Sequence, residues 1–90
     1  MSMIIEFKGP ASLASDGGIE YPAKLNGHDL LCHFSYEALE DVDPNAVMGD
    51  ALTHFATHQL KLLSIAEKKI LANQSHAGMI QIHSNDLLLD

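Results

Sequence analysis

Ninety residues, 47% of them apolar, are enough for one compact domain and no second one, since a chain this short buries only about 60% of its unfolded surface. Five lysines, no arginine and twelve carboxylates leave a net charge of −7, which sets the chain against phosphate backbones and anionic lipid, so neither nucleic acid nor membrane is expected as a partner. One cysteine, Cys32, excludes an intramolecular disulfide, and no apolar run reaches the roughly 20 residues of a bilayer span or opens the chain as a signal peptide would, so a soluble cytoplasmic protein is expected.

The first element is the Ile-rich stretch MIIEF, residues 3–7, which reads as a strand. KGPASLASDGG follows and collects Gly, Pro, Ser and Asp, the composition of a mobile loop. In GIEYPAKLNGHDLLCHF, Asn26-Gly27 is the favoured two-residue type I′ hairpin turn. Closing it there pairs Leu25 with His28, Lys24 with Asp29, Ala23 with Leu30, Tyr21 with Cys32, Glu20 with His33 and Ile19 with Phe34. That register sorts Ile19, Tyr21, Ala23, Leu30, Cys32 and Phe34 onto one face, and a slip of one residue would mix the two faces. Pro22 cannot donate a ladder hydrogen bond, which places its strand at an edge or at a bulge.

SYEALEDV reads as a short helix capped by Ser35, and Asp43-Pro44 marks the start of a second helix over residues 44–73. Gly49 would weaken that helix by about 1 kcal/mol relative to Ala. Wound at about 100° per residue, it gathers Met48, Ala51, Leu52, Phe55, His58, Leu62, Ala66 and Ile70 into a core-facing stripe. MIQIHS alternates as a last strand before NDLLLD. The economical architecture is α+β, a single domain over residues 1–90 with the long helix laid on one face of an antiparallel four-stranded sheet.

Chemistry, if present, should lie in DALTHFATHQL. Asp50, His54 and His58 recur every four residues, forming a slanted row that could hold a zinc ion. The helix motif of zinc proteases needs a glutamate directly after the first histidine, and Phe55 stands there. His58 is therefore expected as a partly buried residue hydrogen-bonded to a neighbour, and His54 as a surface residue near Asp50. His28, His33, His76 and His83 read as structural or solvated. Cys32 and His33 point to opposite faces of one strand and cannot form a catalytic pair. Glu37, Glu40, Asp41 and Asp43 cluster at helix starts, where carboxylates complement the helix dipole. No phosphate-cradling loop, nucleophile elbow or Rossmann fingerprint occurs.

The remaining signal is apolar. Leu60 and Leu71 fall behind the core stripe, and Leu87, Leu88 and Leu89 form a run near the last residue, so each lies either under another part of the fold or against another subunit.

NGHDLLCHFSYEAL, in which a Gly turn leads through a strand to Cys32 and a Ser-x-Glu-Ala-Leu helix start, and ALTHFATHQLKLLSIAEKKI, with the spacing of Phe55, His58 and Ala66, resemble a small bacterial family of uncharacterised proteins, domain-of-unknown-function family 1488. The resemblance runs from about Ile4 to Leu88 and implies a compact α+β domain with no assigned activity. The reading is therefore a non-enzymatic binding or interaction module without a cofactor, acting as a homodimer or accessory subunit through Leu60, Leu71 and Leu87 to Leu89. The alternative is a zinc-binding or metal-sensing protein built on Asp50, His54 and His58.

Overall fold

The computed structural model describes residues 4–43, 49–72 and 78–89, with side chains in the last segment through residue 87. In chain order the elements are strands β1 (Ile5–Phe7), β2 (Ser12–Leu13), β3 (Ile19–Leu25) and β4 (His28–Phe34), helices α1 (Tyr36–Asp41), α2 (Ala51–Thr57) and α3 (Gln59–Leu71), strand β5 (Met79–Ile82) and a 3₁₀ helix (Ser84–Leu89).

The hairpin forms in the expected register, from Leu25 opposite His28 to Ile19 opposite Phe34. Asn26 and Gly27 both take positive φ, at 53° and 84°, as a type I′ turn requires. The six apolar residues assigned to one face are all buried. Pro22 sits inside the sheet, so of the edge or bulge expected at its strand the edge is not found. β1 pairs with the Ala23–Leu25 half of β3 and β2 with Ile19 and Glu20, so Pro22 faces the gap between two short neighbours. There its carbonyl accepts from the N–H groups of Lys8 and Gly9, and the N–H it lacks is not needed. The segment expected as a loop thus contributes β2.

The sheet is mixed and five-stranded, in the order β1-β3-β4-β5 with β2 also on β3. This corrects the antiparallel four-stranded expectation: β5 runs parallel to β4, with Leu31 opposite Met79 and Phe34 opposite Ile82. The reason is the helical crossover. The chain leaves β4 at Phe34 and returns to the other end of that strand before pairing again. Thirteen residues of α3 span about 20 Å, close to the length of a seven-residue strand.

The helical region also departs from the single long helix. Asp50 is an N-cap outside the helix, its carboxylate accepting from Thr53 N–H, and Gly49 precedes it. The proposed start at Pro44 lies outside the described residues. Helix geometry then breaks at His58, with φ −111° and ψ 20°. There its N–H is shared between the carbonyls of His54 and Phe55, at 3.2 and 3.1 Å. One residue earlier, the Thr57 hydroxyl donates back to the Thr53 carbonyl, a type of bond that often bends helices. Phe55, Leu62, Ala66 and Ile70 are buried as expected, but the break also brings Ile65 into the core. Phe55 stands at its centre, 5.1 Å from the Phe34 ring and 5.6 Å from Tyr21 by ring centroids.

Lys69 is buried as well, at 8% exposure. Its ammonium donates to the Gln81 carbonyl and, at 2.8 Å, to Asp86 Oδ2, which also accepts from His83 N–H at 2.8 Å.

At the start of β3, Gly18 presses on the end of β4: a Cβ built there would stand 2.3 Å from the Phe34 carbonyl oxygen, whereas one at Gly49 would meet nothing within 4 Å. Gly18→Ala is therefore expected to lower stability by about 1–3 kcal/mol through overpacking, with Gly49→Ala within about 0.5 kcal/mol of the parent. Urea denaturation of both variants checks the contrast, and equal midpoints would refute it.

Candidate functional site

α2 carries its residues at four-residue spacing along one wall of a cleft of about 420 Å³, running from Asp50 past Thr53, His54 and Thr57 to His58, with Asp43 on the far side. The row read from the sequence is thus brought together in space. Its chemistry is already committed. The Asp50 carboxylate accepts from the Thr53 hydroxyl at 2.8 Å and from Thr53 N–H at 3.3 Å. Chiefly the hydroxyl bond, opposed by desolvation and helped by the backbone N–H groups of Thr53 and Leu52, holds this carboxyl below the usual range.

Of the two histidines, His58 is partly buried as expected, whereas His54, expected at the surface, does not lie there. His54 is the buried one, at 8% exposure, and its Nε2 lies 2.7 Å from the Leu39 carbonyl oxygen. With a carbonyl as partner, Nε2 carries the proton and donates. This bond ties α2 to α1. His58, at the helix break, is partly exposed and faces Asp43 at 3.6 Å, while the two imidazole centroids stand 4.9 Å apart. His54 stands beside the buried Phe55 on α2, and on that side it meets α1 instead of solvent. Among the described residues, no three His, Cys, Asp or Glu side chains gather into a group that could hold a metal ion.

The other titratable groups are tied into the fold in the same way. His33 lies opposite Glu20 in the register but pairs with Asp16 at 3.0 Å. Asp16 is held below its usual range first by the N–H of Gly18 and then by His33. β5 does run beside the strand of His33, with Gln81 opposite that residue, and His83 is exposed beyond the strand. His28 flanks the turn in the open, and His76 lies outside the described residues. Ser35 caps α1 by accepting from Ala38 N–H at 3.1 Å. The Cys32 thiol is buried in the sheet, and desolvation pushes its pKa up to about 12.

The leucines divide. Leu60 is 88% exposed and Leu71 52% exposed on α3, so no loop of the described chain covers them. Leu87 packs partly against the core. The side chains of Leu88 and Leu89 lie outside the described residues. A buried group not anticipated from the sequence is Lys69. The helical wheel itself puts that residue inside the core stripe, and an ionisable group there signals a buried partner.

Fold and surface together define a small α+β protein in which three helices cover one face of a mixed sheet, and no helix among the described residues is long and apolar enough to cross a membrane. No family profile and no curated protein matches the chain in sequence. Among solved structures it is similar to a crystallised protein of unknown function from the DUF1488 family of Shewanella loihica PV-4. The TM-score is 0.78 at 22% identity, over 91% of this chain and 94% of that one. The likeness establishes a shared fold and agrees with the resemblance carried by the hairpin and α2–α3 motifs.

Two outcomes follow from these environments. Asp50→Ala should lower the melting temperature at neutral pH by removing the cap. A carboxyl depressed in the folded state contributes above its unfolded pKa of about 3.9 and loses that contribution as pH falls through its folded value, so parent and variant should converge in acid. A gap unchanged between pH 7 and pH 2 would contradict the capping role. Cys32 should react with an alkylating reagent only as fast as the protein opens, and labelling of the native thiol at the rate of a free one would show that it is not buried.

Proposed function

We propose that this protein works by binding and not by catalysis, and that it pairs with a second copy of itself through the outward face of α3. The observation that carries this reading is the exposure of Leu60, 88%, on a helix whose opposite side is fully packed. Leu60 and Leu71 are three turns apart, within about 20° of each other on the wheel. Ser64 and Glu67 complete the stripe at steps of four, three and four residues, the spacing of a helix-pairing seam. In an antiparallel two-fold arrangement, Leu60 of each copy packs on Leu71 of the other at the two ends of the contact. Ser64 then stands opposite Glu67 in the middle, where the hydroxyl can donate to the carboxylate. Two-fold pairing is the commonest symmetry among homo-oligomers.

One helix per copy makes a contact at the small end of specific interfaces, so association is expected to depend on concentration in the micromolar range. Sedimentation or light scattering should show the mass rising toward the dimer as concentration increases. Leu60→Asp and Leu71→Asp should each return it to the monomer with the circular dichroism spectrum unchanged. A monomer mass at all concentrations, or variants that assemble like the parent, would overturn the reading.

A further inference from the structure

Among the described residues, β5 is the last strand of the sheet on its side and pairs with β4 alone. Its contacts define which backbone groups face outward. Gly78 O accepts from Leu31 N–H and Ile82 O from Ser35 N–H, at 2.9 and 3.0 Å. Residues 78, 80 and 82 therefore direct their N–H and C=O groups toward β4. Residues 79, 81 and 83 direct theirs away from it, along the open edge. Two of those outward groups are the Gln81 carbonyl and the His83 N–H. The first receives the Lys69 ammonium, and the second donates to Asp86 Oδ2 at 2.8 Å.

A strand added parallel to β5 would use one residue to do both jobs, its N–H donating to Gln81 O and its C=O accepting from His83 N–H. Lys69 and Asp86, joined to each other at 2.8 Å, supply that donor and that acceptor from side chains. We infer that the Lys69–Asp86 pair is an edge guard: it occupies the place of a neighbouring strand on β5 and prevents the sheet from extending by pairing with β5 of a second copy.

The energetics favour this role over simple stabilisation. Both side chains are largely withdrawn from water, with 10% and 19% exposure, and the desolvation cost of such a pair commonly cancels its attraction, so apolar residues of like size would hold the fold equally well. Burial alone would raise the Asp86 carboxyl. The His83 N–H and Lys69 outweigh it and keep the group ionised. An open strand edge is a template for unwanted pairing, and inward-pointing charges are one of the devices that block it.

The test replaces both charges together, as Lys69→Met with Asp86→Leu, and compares mass with the parent protein at equal concentrations, so any association through α3 is common to both. The expected result is a folded variant with assembly beyond the parent's. Adding Gln81→Pro, which removes an outward N–H and leaves the β4 ladder intact, should return the mass to that of the parent. A folded double variant that keeps the parent's mass, or one whose added assembly survives Gln81→Pro, overturns the inference. The unmodified protein supplies a check that does not depend on the variant folding. The His83 amide, on an exposed residue, should exchange with solvent about tenfold or more slowly than an unstructured amide, and exchange at the unstructured rate would show that the guard is not in place.

Discussion

The two-residue turn at Asn26 and Gly27 closes β3 on β4 in the one register that puts Ile19, Tyr21, Ala23, Leu30, Cys32 and Phe34 on a single face. Every other element is positioned by that face. Phe55 enters from α2 onto Phe34 and Tyr21, and Leu62, Ile65, Ala66 and Ile70 extend the contact along α3. β5 adds Ile80 and Ile82 to the same side of the sheet beside Cys32 and Phe34. A shift of one residue in the hairpin would set the apolar residues of β3 and β4 on opposite faces, and the helices would then have only half a surface to cover.

What could be read in the sequence follows the range of the interaction that determines it. The hairpin was legible pair by pair because a two-residue turn fixes its register locally. The Ser35 cap was legible for the same reason. The parallel pairing of β5 was not: it depends on where a crossover of three helices returns the chain, and alternation within MIQI is the same for either direction. The break at His58 is accompanied by a side-chain bond from Thr57 to the Thr53 carbonyl, of a type that often bends helices. The wheel treats those threonines as ordinary helix positions, so the break was invisible to it. His54 was misplaced for a related reason, since the wheel could not show that α1 would cover its side of α2. Asp50, His54 and His58 do line one cleft, while the groups that the two histidines meet, Leu39 and Asp43, lie in a segment that no helical spacing could connect to them.

Most of the groups that looked available for chemistry are employed in holding elements together. Asp50 starts α2, His54 joins it to α1, Asp16 and His33 fasten the turn before β3 to β4, and Cys32 is submerged in the sheet. The apolar groups show the opposite pattern, since Leu60 and Leu71 project from a helix that has already met its packing requirement. This contrast, between polar side chains turned to internal use and two leucines left displayed on α3, is what the proposed self-association rests on, and a charge of −7 works against indiscriminate contact between copies.

The parallel pairing of β4 and β5 also bears on how the molecule is assembled. Leu31 and Met79 are 48 positions apart (79 − 31) in the chain, whereas Leu25 and His28 meet across a turn of two. Contacts between distant positions demand closure of a long loop before they return any stabilisation. The hairpin is thus expected to form early and β5 to dock late. During that interval the outer edge of β4, from Leu31 to Ser35, is bare. The brief exposure of this inner strand, more than any property of the finished sheet, sets the time window in which two growing or refolding chains could tangle.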